Sequence, residues 1–117
     1  MGAPVVHFEI GARDATKLAG FYSKLFGWNT SEYGPARMID TGSTQGIMGH
    51  INQLGHEPHN YCVVYMQVDD LEAYIKNAMG LGAKLCVPAT EVPGMGHFAW
   101  LQDPEGNAFG LWKAAGQ

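Results

Sequence analysis

Val5-Val6-His7-Phe8-Glu9-Ile10 is answered, roughly 60 residues on, by Val63-Val64-Tyr65-Met66-Gln67-Val68, and the match between these two runs decides the fold. Both are rich in β-branched and aromatic side chains and read as strands. Each is followed by an aspartate and an amphipathic stretch. Asp14 reads as the N-cap of a helix to about residue 26, with Leu18, Phe21, Tyr22, Leu25 and Phe26 as its buried stripe and Gly27 as its stop. Asp69 or Asp70 opens the second helix, whose stripe is Leu71, Tyr74, Ile75, Ala78 and Met79, and Gly80 and Gly82 end it. Three extended pieces follow each helix: residues 28–33, 36–41 and 46–53, then 83–92, 97–102 and a last strand ending near 113. Gly34-Pro35, residues 41–44, Pro93-Gly94 and residues 103–107 supply turns, with Asp103 and Asn107 bonding local backbone. Pro88 marks an edge strand or a bulge. The order is βαβββ twice, an α+β chain. It reads as one domain over residues 1–117, with module one at about 1–53, a linker at about 54–60 and module two at about 61–117. Pairing residues 46–49 with 107–110 aligns the last strands, glycine on glycine.

Composition narrows the function classes. With 46% hydrophobic and 15% charged residues in 117, the chain is globular and large enough for one core. A net charge of −4 argues against a nucleic-acid partner and tolerates a cationic ligand. No apolar run approaches the ~18 residues of a membrane span, and no secretory leader pattern is present, so the expected location is cytoplasmic. Cys62 and Cys86 each sit in an apolar strand-like segment and read as free, buried thiols.

Four motifs, in order, carry a family resemblance: His7-Phe8-Glu9-Ile10, Phe21-Tyr22-Ser23-Lys24-Leu25-Phe26-Gly27-Trp28, Val68-Asp69-Asp70-Leu71 and Asp103-Pro104-Glu105-Gly106-Asn107. Together they span nearly the whole chain, which resembles the vicinal-oxygen-chelate superfamily of glyoxalases, bleomycin-resistance proteins and dihydroxybiphenyl-dioxygenase-like enzymes. The resemblance implies curved mixed sheets around a cavity and a homodimer, in some members with modules paired across subunits. It also implies four metal-ligand positions, on the first and last strand of each module. These fall on His7, Tyr65, Gly49 and Gly110. Only His7 is a usual ligand, and one imidazole does not hold a divalent ion where three or more donors are needed. The reading is therefore no metal and no cofactor. A one-residue slip of the last strand would bring in His50 in module one but Leu111 in module two. A His7/His50/His97 cluster stays open as the arrangement that would restore a metal.

Strand alternation defines the candidate pocket. If Phe8 and Ile10 pack under the first helix, His7 and Glu9 face the other way; likewise Met66 and Val68 leave Tyr65 and Gln67. Gly49, Gly110 and Trp112 are expected on that same side, the glycines leaving room for a ligand. Phe98, Trp100 and Trp112, with Trp28 as a further candidate, would stack on a planar or sugar-like molecule, or else fill core. His7 and Glu9 lie ~6.5–7 Å apart at Cα, close enough for the carboxylate to raise the imidazole pKa and arm it for proton transfer. His56 and His59 read as solvated linker residues, and residues 93–96 as a flexible lip carrying Met95. The leading expectation is a metal-independent protein that binds a small organic molecule, such as a drug or toxic metabolite. The competing one is a glyoxalase-like lyase or isomerase, or a dioxygenase, using a non-standard metal site or His7 and Glu9 as an acid–base pair. A pure interaction module filled by its own aromatics is the third.

Overall fold

The computed structural model describes residues 2–54 and 60–116; the linker histidines His56 and His59 lie outside the described residues. Strand β1 (Val5–Ala12) leads into helix α1 (Ala15–Phe26). The Asp14 carboxylate accepts from the Lys17 N–H at 3.1 Å, a cap worth about 1 kcal/mol. Gly27, at φ 73°, closes the helix by donating its N–H to the Ser23 carbonyl. Strands β2 (Asn29–Tyr33), β3 (Ala36–Asp40) and β4 (Met48–Gln53) complete the first module. The second runs β5 (Cys62–Gln67), α2 (Leu71–Gly80), β6 (Lys84–Val92), β7 (Gly96–Gln102) and β8 (Ala108–Ala114). Asp70, not Asp69, caps α2, accepting from the Ala73 N–H. The architecture is α+β, two βαβββ modules built on mixed sheet.

Two compact units form: His7–Val63, and Val64–Gln117 together with Met1–Val6. In the first the strand order is β2-β3-β4-β1, with β1 parallel to β4 and the other pairs antiparallel. In the second it is β5-β8-β7-β6, with β5 parallel to β8. The N-terminal residues join this second unit because the Pro4 carbonyl accepts from the Gln67 N–H at 2.9 Å. Pro88 falls on the edge strand β6, inside a register irregularity between Val87 and Thr90. The aspartate turn also forms, Asp103 accepting from the Glu105 and Asn107 N–H groups at 2.9 Å. These bonds to its charged form hold its carboxyl below the usual range.

Each unit has its own core. Ala12, Ala15, Ala19, Ile39 and Ile51 make one, with Phe8, Ile10, Leu18, Tyr22 and Trp28 packed on it. Val68, Leu71, Ile75, Ala99, Leu101 and Leu111 make the other. Truncating wholly buried Ile51 or Leu101 to Ala would cost about 2–5 kcal/mol. The helical stripes are narrower than their periodicity implied. In α1 the contact face is Ala15, Leu18, Ala19 and Tyr22, while Phe21, Leu25 and Phe26 are exposed. In α2 Leu71, Ile75 and Ala78 pack, while Tyr74 and Met79 are exposed. Small residues at 15 and 19 bring α1 close to its sheet, which leaves the larger side chains at 21 and 25 on the flank. Cys62 and Cys86 are free thiols as expected but exposed rather than buried: Cys62 is the first residue of β5, and Cys86 lies on the edge strand β6.

Candidate functional site

In the His7–Val63 unit the register of β1 on β4 sets His7 opposite Met48, Glu9 opposite His50 and Gly11 opposite Asn52. Opposed residues share a face, so His7, Glu9, His50 and Asn52 project together, away from Phe8, Ile10 and the helix. Glu9 is only 3% exposed, the one buried polar residue among the described residues. A carboxylate buried so deeply needs partners. His50 Nε2 stands 3.3 Å from one oxygen, and the other takes the Tyr61 hydroxyl and, at 3.5 Å, the Asn52 amide. His50 Nδ1 in turn lies 2.7 Å from His7 Nε2. Where Glu9 accepts from Nε2 of a neutral His50, the His50 Nδ1 is left to accept from His7 Nε2, so a single proton bridges the two rings. The result is a continuous chain, Tyr61–Glu9–His50–His7.

Tyr61 reaches Glu9 because residue 11 is glycine. A Cβ there would stand 2.2 Å from the Tyr61 ring, and the Gly11 N–H donates to the Tyr61 carbonyl at 3.0 Å. Sequence reasoning found His7 and Glu9 and missed Tyr61, Asn52 and Gly11. His50 and Asn52 were readable as alternate residues of one strand; Tyr61, just before β5, gave no such signal.

The carboxylate does not arm His7. Its pKa is lowered from 6.5 to about 4, first by burial and then by the neighbouring His50, with Glu9 opposing from behind. Glu9 spends its contact on His50 instead.

In the Val64–Gln117 unit, Tyr65, Gly110 and Trp100 form one row across β5, β8 and β7, and Gln67, Trp112 and Phe98 form the next. These six residues therefore share a face, to which alternation had assigned Tyr65, Gln67, Gly110 and Trp112. Their availability differs. Tyr65 and Trp100 are buried, and the indole N–H donates to the Tyr65 hydroxyl at 2.7 Å, so Trp100 is a packed residue rather than a stacking platform. The room left by Gly110 is taken by the Tyr65 ring, 2.3 Å from where a Cβ would stand. Gln67, Phe98 and Trp112 are half-buried. Trp28 packs on Phe8, Tyr22 and Phe26, in an aromatic cluster on the helix side of the other unit.

Two placements need correction. Gly49 pairs with Phe8, and its missing Cβ would lie 2.5 Å from the Phe8 carbonyl oxygen, so it belongs to the helix side and not with His7. Aligning it with Gly110 was one residue out of phase, because Gly110 pairs with Tyr65, the counterpart of His7. His97 stands opposite Lys113 on the face alternate to Phe98, and is exposed. Among the described residues no group of three or more His, Cys, Asp and Glu is arranged to hold a metal ion. The Met95 segment is a turn tied by the Met95 N–H to Val92 and by the Ala115 N–H to the Met95 carbonyl. No helix among the described residues is long and apolar enough to cross a membrane.

Residues 6–112 match the model of the glyoxalase-like domain. The chain belongs to this glyoxalase-like domain family, within the vicinal-oxygen-chelate superfamily. A relative, the anthracycline biosynthesis protein DnrV of Streptomyces peucetius, is 29% identical over 96% of this chain and 47% of its own length. The glyoxalase-like chain thus spans about half of that protein. A glyoxylase-like domain-containing protein of Didymella fabae is 28% identical over 93% of this chain and 92% of its own. Among solved structures, the Mn(II)-bound glyoxalase from Novosphingobium aromaticivorans superposes with TM-score 0.68 at 17% identity, over 95% of this chain and 38% of that one. The donor set here does not fit such an ion. Gly110 has no side chain, Gly49 faces the helix, the Tyr65 hydroxyl holds Trp100, and His7 is engaged by His50.

Proposed function

We propose that this glyoxalase-like domain binds a small organic molecule without a metal ion, taking it against the sheet face that carries His7. The observation that carries this reading is the state of the superfamily's ligand positions: His7 is the sole metal donor among them, and its Nε2 is spent on His50. What replaces the ion is a set of oriented hydrogen-bonding groups anchored on a buried carboxylate, the usual polar complement of a ligand site. Sequestration of a drug or toxic metabolite is the form of binding proposed, and kinship with an anthracycline biosynthesis protein favours planar aromatic ligands. A chelator-treated sample screened by thermal shift against aromatic compounds, cationic drugs and glutathione adducts tests it. A ligand at a hundredfold excess over its Kd should stabilise by about 2.7 kcal/mol. Absence of any response to the organic panel, with a strong response to Mn(II), Zn(II) or Ni(II), would reverse the reading.

A second reading, acid–base catalysis of an isomerase or lyase, is favoured by the Tyr61–Glu9–His50–His7 chain, which has the make-up of a proton relay. A ring whose pKa lies near 4 is a weak base at neutral pH, which is why binding is preferred over chemistry. Loss of turnover in both His7→Gln and His50→Gln, with ligand affinity retained, would favour the catalytic reading.

A further inference from the structure

The end of β1 and the start of α1 border an open cleft of about 490 Å³, within the ~300–1,000 Å³ usual for small-molecule sites. All the residues that line it belong to the His7–Val63 unit. Gly11, at its base, lies four strand positions beyond His7, roughly 13 Å along β1, so this is a different place from the His7 face. Gly11 and Ala12 are buried and give the cleft a floor without side-chain bulk, and half-buried Leu18 continues it. Positions 17, 18 and 21 share one side of α1, which stands Lys17 and Phe21 together on the wall. The Phe21 ring is steadied by an edge-on contact with Tyr22 at 5.1 Å, yet 56% of the residue stays exposed and open to a guest.

The cleft opposes the charge of the chain. Against a net charge of −4 overall, it is lined by two cations, Arg13 and Lys17, and a single carboxylate, Asp14. Among the described residues neither the Arg13 guanidinium nor the Lys17 ammonium makes a hydrogen bond or an ion pair. Arg37, also beside the first turn of α1, is by contrast engaged by the Thr16 hydroxyl at 2.6 Å and the Ala36 carbonyl at 3.2 Å. The Asp14 carboxylate is committed to the Lys17 N–H as the helix cap, so the end of α1 is already satisfied and the pull on an anion comes from the two side chains. We infer that this cleft binds a small aromatic carboxylate. Its ring lies on Phe21 and Leu18, and its carboxylate meets the Arg13 fork, a planar match for two oxygens, with the Lys17 charge beside it. An uncharged ring gains only the apolar part of this site, and a cationic one is repelled.

Titration of the ¹⁵N-labelled full chain with naphthoate, and separately with naphthalenemethanol as its uncharged isostere, tests the assignment through the amide shifts. Saturable shifts should centre on residues 11–21, with the acid bound at least about fivefold more tightly than the alcohol. Replacing both cations, Arg13→Gln with Lys17→Gln, should abolish that preference and leave the affinity for the alcohol as it was. Both positions are exposed, so the thermal midpoint should not move. Phe21→Ala should weaken the two compounds alike, and Ala keeps the helix. Added salt should weaken the acid alone, because the two cations are open to solvent. An acid that shifts nothing at residues 11–21, or a preference for it that survives loss of both cations, overturns the inference. Shifts confined to the His7 and His50 region would place naphthoate on the other face and overturn it equally.

Discussion

His7 ties the candidate site to pH. The folded chain keeps this imidazole neutral down to about pH 4, whereas the unfolded chain protonates it near 6.5. The unfolded state therefore binds the extra proton between those values. Stability contributed at this site is whole above about pH 6.5, declines as pH falls towards 4 and then levels. With allowance for solvent around a half-buried ring, the loss should be about 1–2 kcal/mol. Urea unfolding from about pH 7 to about pH 4 should show this decline in the wild type and a shallower one in His7→Asn; equal slopes would remove His7 as the source. Tyr61→Phe should cost about 1–3 kcal/mol at neutral pH, because it withdraws a donor from a buried carboxylate without changing shape. A urea midpoint unmoved by that change would mean the hydroxyl is dispensable to Glu9. His7 and Glu9 were legible as neighbours on one strand face. Tyr61, 52 positions from Glu9, was not, and His50, weighed beside His7 only as part of a metal cluster, lies 43 positions away across a strand register that one sequence does not state.

At the scale of elements, the two last-strand glycines serve packing on opposite faces. Gly49→Ala drives a methyl against the Phe8 backbone carbonyl, and Gly110→Ala drives one into the Tyr65 ring. The backbone atom cannot move aside independently, so Gly49→Ala should be the more damaging. Costs of about 1–3 kcal/mol are expected, read as a fall in thermal midpoint. A stable Gly49→Ala with unchanged midpoint would show that β1 and β4 have more freedom than their register implies. Element type and order were readable throughout, from Asp14 as one cap and Asp69 or Asp70 as the other to Pro88 at an edge or a bulge. What failed was the width of the helical stripes and the phase of the glycine alignment. Periodicity marks an apolar residue without telling whether it faces sheet or solvent; at Phe21 and Leu25 the small Ala15 and Ala19 had already claimed the contact. The same limit misplaced Cys62 and Cys86.

For the whole molecule, βαβββ duplication and the four motifs were sufficient to name the superfamily, and the match over residues 6–112 agrees with them. Duplicated modules in this fold supply equivalent strand positions, and this chain has diverged at those positions differently in each half. The His7–Val63 unit keeps polar side chains, joined through Glu9, while the Val64–Gln117 unit has filled its face with Tyr65 and Trp100. That divergence is the physical basis for proposing binding without a metal. The most direct measurement is the ¹⁵N spectrum of the imidazole nitrogens in chelator-treated protein, recorded as Zn(II) or Mn(II) and then an organic hit from the thermal screen are added. The expected result is that His7 and His50 keep their resonances with metal and shift with the organic ligand. Stoichiometric, saturating shifts or broadening of both rings with metal alone would contradict it.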